Sequence, residues 1–333
     1  MTSTDWFKDA RWGLFFHYLA SPASATTKAP LTLDEWNARV DSFDVEGFAQ
    51  QVAETGAPYL FLTIGQNSGF YCAPNATYDQ IVGAKQSKCS RRDLIADIEA
   101  ALRPHGVRMM VYLPNNAPTQ DPEAMVKLRY TPPWDASMSG GFDTKYCDPN
   151  TDERITEFQR NWEAIIREWS NRWGERIGGW WIDGCVFADK MYYHDDEPNF
   201  SSFAAALKSG NAQSIIAFNP GWVETTPQRR LTSMTPQEDY TAGECDSMFP
   251  VCKGRWIEIE DKPVQWHVLT YAGSYWGRGE PRFPDEFVIG YTKHANQHDG
   301  VITWDIPVSH TGQIPQVFIE QMKNLNAACT AKS

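Results

Sequence analysis

The sequence predicts an α/β chain folded as a single (β/α)8 barrel of the TIM type over residues 1–333. Three observations lead there. Short apolar runs alternate with amphipathic stretches about eight times, with no Pro/Gly-rich linker to divide the chain. The runs are apolar throughout, as strands covered on both faces are. Polar residues stand just beyond their C-terminal ends, where a barrel keeps its chemistry. A length of 333 residues is within reach of one barrel. No G-x-G-x-x-G opens a helix, so an open doubly wound sheet with a dinucleotide site is unsupported.

In chain order, Gly13 to Phe16 reads as the first strand, with His17 at its tip. A Pro/Ser/Thr-rich loop and a capped helical turn at Leu33 to Trp36 follow. Asp44 caps a helix over Val45 to Thr55, and Gly56 stops it. Tyr59 to Thr63 is the second strand and runs into a polar loop from Gly65 to Phe70. A helix over Asp93 to Arg103 leads to the third strand, Val107 to Tyr112. From Thr119 to Asp148 the chain reads as a long loop of the kind that covers functional sites. An amphipathic helix, Asp152 to Arg172, delivers the fourth strand, Gly179 to Asp183. A weaker helix at Phe200 to Ser209 precedes the fifth, Ser214 to Phe218, which ends at Asn219. Periodicity is poor from Pro220 to Pro263, and a sixth strand is placed only loosely near Ser233. Val264 to Thr270 is the seventh strand, Pro284 to His298 the next helix and Gly300 to Asp305 the eighth strand. A last helix covers Pro315 to Leu325.

Composition narrows the function. Hydrophobic residues make up 42% of the chain, enough for a large core. A net charge of −12 repels phosphate backbones and argues against nucleic acid. No apolar run approaches the roughly 18 residues of a membrane span. The N-terminal residues lack the basic and apolar regions of a signal peptide, and the seven cysteines are scattered without metal spacing. A cytoplasmic chain with reduced thiols is expected; Cys72 and Cys89 are the pair to bridge if the chain is exported.

The strand tips collect His17, Gln66, Asn67, Tyr112, Asn115, Asp183, Asn219, His267 and Asp305, interleaved with Trp181, Trp222, Trp266 and Trp304. Neutral polar groups among aromatic faces suit an uncharged polyol better than a phosphate. Cleaving a glycosidic bond takes two carboxyl groups, and Asp183, closing the run W-W-I-D-G, is the candidate nucleophile. Its partner belongs to a loop after the fifth or sixth strand, where Glu224, Glu238, Asp239, Glu244 and Asp246 are available; spacing does not choose among them. His17, His267 and Asp183 could cluster as zinc ligands, but no H-x-H or H-x-x-x-H spacing supports a metal, and no cofactor is expected. No G-x-S-x-G elbow points to a serine nucleophile.

The residues that carry these features resemble the α-L-fucosidase family of glycoside hydrolases, family 29. W-F-K-D-A-R-W-G-L-F-F-H from Trp6 to His17 is similar to that family's W-F-x-x-A-[RK]-F-G-[IL]-F-[IL]-H-W-G opening. Glu35-Trp36 matches its E-W pair, Gln66 to Phe70 stands in the place of H-H-D-G-F, and Arg92 to Leu94 matches R-D-L. W-I-D-G at Trp181 to Gly184 resembles the nucleophile strand, and N-P-G-W at Asn219 to Trp222 the N-D-R-W tip. D-Y-T-A-G-E at Asp239 to Glu244 resembles D-F-x-T-x-E, and the stretch from Gly300 to Ile314 the closing motif. The resemblance implies Asp183 as nucleophile, Glu244 as acid/base, His17 and Trp36 on sugar hydroxyls and Trp181 at the floor of the site. The departures are Gln66 and Asn67 for paired histidines, Tyr18 for a Trp, Gly221 for an Arg and His267 for the Glu of a W-E pair. A C-terminal β-sandwich is not expected. Reaction residues match and hydroxyl-reading residues do not, which implies the same reaction on another sugar or linkage. The rival expectation is a barrel that binds carbohydrate without cleaving it.

Overall fold

A computed structural model describes residues 3–20, 31–85, 87–221, 231 and 233–330. Its strands are β1 (Trp12–Phe16), β2 (Tyr59–Thr63), β3 (Arg108–Pro114), β4 (Ile177–Asp183), β5 (Ile215–Phe218), β6 (Glu244–Cys245), β7 (Trp256–Ile259), β8 (Lys262–Gln265), β9 (His267–Tyr271) and β10 (Val301–Asp305). Eight of them form one curled sheet in the order β5-β4-β3-β2-β1-β10-β9-β6, with every pairing parallel. β7 and β8 form a separate antiparallel ribbon. This is the α/β architecture of a TIM-like barrel.

No strand ladder joins β5 to β6. Carboxylates stand in for it. The Asp239 amide donates to the Ile216 carbonyl, and the Ile216 amide returns a bond to Asp239 Oδ2 at 3.0 Å. The Phe218 amide donates to Glu238 Oε1, also at 3.0 Å. The Thr241 amide then donates to the Gln265 carbonyl at the end of β8, and Gly243 and β6 pair with β9.

Side chains alternate between two layers. Phe15, Phe61, Tyr112, Trp181, Leu269 and Val301 fill the inside of the curl. Their neighbours Leu14, Phe16, Leu62, Val111, Trp180, Ile182, Val268, Ile302 and Trp304 face the helices. The short helix Asp5–Ala10 plugs the N-terminal end, with the Phe7 ring 5.0 Å from those of Tyr59 and Tyr240 and 5.3 Å from that of His267. Gly13 leaves room for Tyr59, whose ring would lie 2.4 Å from any Cβ placed there.

The helices fall where periodicity and caps put them. Asp44 caps Val45–Thr55, Asp93 caps Leu94–Leu102, and Thr32 with Glu35 forms a capping box on Leu33–Asp41. Thr156–Trp173, Phe200–Leu207, Asp285–Gln297 and Gln316–Thr330 complete the shell. The expected loop from Thr119 to Asp148 carries a helix of its own, Pro122–Lys127.

Two strand expectations are corrected. The sixth strand is Glu244–Cys245 rather than a segment near Ser233, whose hydroxyl instead bonds Glu238. The seventh is split: Val264 and Gln265 belong to the ribbon, and His267–Tyr271 enters the sheet. All seven cysteines are free thiols, Cys72 and Cys89 included. No described helix is long and apolar enough to cross a membrane.

Candidate active site

A cavity of about 180 Å³ opens at the C-terminal ends of the strands, lined by Phe15, His17, Gln66, Tyr112, Trp181, Asp183, Glu244, Leu269, Tyr275 and Trp276. The alternation along each strand decides this membership. Asp183 points inward, and so does Trp181 two residues earlier; Phe15 precedes His17 by the same step. Phe15, Tyr112 and Trp181 make the aromatic floor, Tyr112 and Trp181 stacking with centroids 5.5 Å apart. Trp181 Nε1 donates to the Ala242 carbonyl at 3.0 Å, fixing the ring to the segment that leads into Glu244.

Both carboxylate oxygens of Asp183 are held. Oδ1 accepts from Asn219 Nδ2 at 2.9 Å and Oδ2 from the Tyr112 hydroxyl at 2.5 Å. Burial and the negative charge of Asp183 push the Tyr112 phenol well above its usual range, so it keeps its proton and donates. Gln66 Nε2 donates to the same phenol at 2.7 Å.

Asn219 Nδ2 also donates to Glu244 Oε2, at 2.6 Å. Two oxygens bonded to one nitrogen at 2.9 and 2.6 Å lie no farther apart than those lengths end to end, 5.5 Å. Burial, followed by the charge of Asp183, pushes the Glu244 carboxyl up to about 7, against the opposing bond from Asn219. A carboxyl group that keeps its proton up to about pH 7 therefore shares one pocket with the hydrogen-bonded Asp183.

His17 is oriented from behind. Its Nδ1 lies 2.9 Å from Asp305 Oδ1, and Asp305 Oδ2 accepts the Gly277 amide.

Several expected contacts are placed elsewhere. His267 stands at the start of β9, inside the barrel and fully buried, with Nδ1 on the Thr241 carbonyl at 2.8 Å and Nε2 on Thr303 Oγ1 at 2.7 Å. Burial drives its pKa down to about 3, so it is a neutral core residue. With both nitrogens occupied, it lies outside the cavity wall. Trp304 faces outward and donates to Thr292 of the helix Asp285–Gln297. Trp266 and Trp36 are buried in the same outer layer, Trp36 with its Nε1 on the Tyr71 carbonyl. Asn67 lies against Gly140 and outside the cavity wall. Asn219 is buried behind the carboxylates as their clamp. Trp222 and Glu224 lie outside the described residues.

The other acids are sorted by their partners. Glu238 accepts from the Phe218, Met234 and Thr235 amides and the Ser233 hydroxyl, and Asp239 from Lys208, Ser3 and Ile216. Both are committed to holding the chain together. Among the described candidates Glu244 alone lines the cavity.

Phe15, Leu269, Tyr275 and Trp276 were not among the expected site residues. The sequence carries a signal for the last two: G-S-Y-W-G from Gly273 to Gly277, an aromatic pair between glycines directly after a barrel strand. Such a loop belongs to the mouth of the barrel.

No protein family model and no curated protein matches the chain. Solved structures do match in fold. The endo-fucoidan hydrolase P5AFcnA of glycoside hydrolase family 107 superposes with a TM-score of 0.67 at 13% identity, covering 97% of this chain and 92% of that one. The family 107 endo-fucoidan hydrolase MfFcnA9 does so at 0.71 and 16% identity, covering 98% of this chain and 63% of that one. The α-L-fucosidase AlfC from Lactobacillus casei, solved with α-L-fucose product, gives 0.65 at 15% identity, with 98% of both chains covered. At these identities the likeness establishes the fold.

Proposed function

We propose that this chain is a retaining glycoside hydrolase resembling the α-L-fucosidases that removes a terminal sugar. The observation that carries the proposal is the single amide of Asn219 bonded to both Asp183 and Glu244. Retaining enzymes hold their two carboxyl groups about 5–5.5 Å apart, whereas inverting ones leave about 6.5–9.5 Å for a water. A bound of 5.5 Å between the two bonded oxygens fits the first arrangement. The cavity volume of about 180 Å³ is below that of drug-sized sites and suits one sugar ring over an aromatic floor.

An Asp183 oxygen attacks the anomeric carbon while the bond to the leaving oxygen breaks, and that oxygen takes the proton of Glu244. Glu244, now ionised, removes a proton from water as the water oxygen attacks the anomeric carbon. The bond to Asp183 breaks, and both carboxyl groups return to their starting states. Tyr112 and Asn219 hold Asp183 in place and release it by weakening their bonds as its charge is spent.

A panel of aryl glycosides, α-L-fucoside first, tests activity and sugar together. Asp183→Asn is expected to lower kcat by about three orders of magnitude or more with folding intact. A 2-fluoro glycosyl fluoride of the accepted sugar is expected to add the mass of one sugar to the wild type and none to the variant. Product appearing first with inverted anomeric configuration, or full turnover by the variant, ends the proposal.

A further inference from the structure

We propose that Asp305 is a positioning residue whose one carboxylate sets both the hydrogen-bonding role of His17 and the place of the aromatic wall carried by Tyr275 and Trp276. The proposal deepens the hydrolase reading above and rests on it for the identity of the ligand.

Asp305 ends β10 without exposed surface. Oδ2 accepts the Gly277 N–H at 2.5 Å, and Oδ1 faces His17 Nδ1 at 2.9 Å. A carboxylate between two nitrogens accepts from both, so Nδ1 of His17 carries the proton. In the neutral ring Nε2 is then an acceptor. His17 lines the cavity, and among the described residues Nε2 has no protein partner. It is set to receive the O–H of a sugar.

The second bond shapes the wall. Residues 272–282 form a closed loop: the Arg282 amide donates to the Ala272 carbonyl at 2.9 Å, and Tyr275 and Arg278 exchange backbone bonds of 3.3 and 3.1 Å. Asp305 ties its tip to the barrel through Gly277 and its base through its own carbonyl, which accepts the Ala272 amide. Gly277 has φ +63° and lies so close to His17 that an added Cβ would come within 2.7 Å of His17 Cβ. Trp276 is thereby held 5.8 Å from the His17 ring and 4.8 Å from Tyr271, closing one side of the cavity. The same carboxylate thus decides how a hydroxyl is read and where the pocket ends.

Asp305→Asn tests this, because an amide offers one acceptor oxygen to two N–H donors and opposes the other with its own NH2. Gly277→Ala keeps the carboxylate and strains the loop tip where it meets His17. Nitrogen NMR of the histidine rings, with His17 assigned through His17→Gln, is expected to show Nδ1 protonated in the wild type. Hydrogen exchange across 272–282 is expected to rise by about tenfold or more in both variants, as loss of a bond to a charged group implies. In Asp305→Asn, KM for the accepted aryl glycoside is expected to rise about tenfold while kcat changes less. Nε2-protonated His17 in the wild type, or unchanged exchange in the loop of Asp305→Asn, overturns the proposal. Failure of the hydrolase reading looks different: the wild type turns over no glycoside of the panel while the ring tautomer and loop exchange still respond.

Discussion

At the scale of single residues the site turns on Asn219, an amide that bonds two acids at once. Its bond to Glu244 favours the ionised form, while burial and Asp183 favour the protonated one and prevail, placing that carboxyl at about 7. Glycosyl transfer needs Glu244 protonated, so kcat/KM is expected to fall as pH rises through about 7. Asn219→Ala removes the opposing bond, and the falling limb of the pH–rate profile is expected to move to higher pH. The same variant is expected to lose about tenfold to a hundredfold in kcat, since a hydrogen bond to a charged group contributes about 1.5–3 kcal/mol. A limb that stays in place would show that Asn219 does not touch the acid in solution. The sequence displayed these acids but not this bond: Asn219 stood at a strand tip, and nothing in its neighbours distinguished a clamp from a sugar ligand. Trp266 and Trp304 are placed away from the cavity for a simpler reason. Apolar runs hide their parity, although the polar tip reveals it: Trp181, two before Asp183, faces in, and Trp304, one before Asp305, faces out.

At the scale of elements, the weak seam is where the sheet passes from β5 to β6. Glu238 and Asp239 fill it with side-chain acceptors in place of a strand. That substitution is why the sixth strand was the one the sequence did not locate: two residues of ladder carry no periodicity. Six of the other barrel strands and most helices were legible because apolar runs and caps coincide, and the seventh was read as one run with the end of the ribbon. Glu238→Ala strips acceptors from the buried amides of Phe218 and Thr235 and from Met234. A cost of about 3 kcal/mol or more is expected, as each buried donor left unpaired costs about 1–3 kcal/mol. Urea unfolding of wild type and variant measures it; a midpoint unchanged by the substitution would mean the seam is held by something else.

For the whole molecule, the chemistry that makes the mouth useful is expected to weaken the fold. Glu238 and Glu244 are both pushed up to about 7 by burial, one serving the seam and the other the pocket. A carboxyl raised above its unfolded value binds its proton more tightly when folded. Its favourable contribution is full below about pH 4.5 and is lost as pH rises through about 7. Glu244→Gln keeps the shape and an acceptor for Asn219 but has no charge to place beside Asp183. At pH 4 both proteins carry a neutral group there, and their urea midpoints are expected to coincide. At pH 8 the wild type holds two carboxylates on one amide, and the variant is expected to be the more stable by about 2–3 kcal/mol. The gap is expected to open between those limits and to level off above pH 7. A difference that is the same at every pH would mean that neither burial nor Asp183 raises the Glu244 carboxyl, and the protonated acid that the proposed reaction needs at neutral pH would be lost.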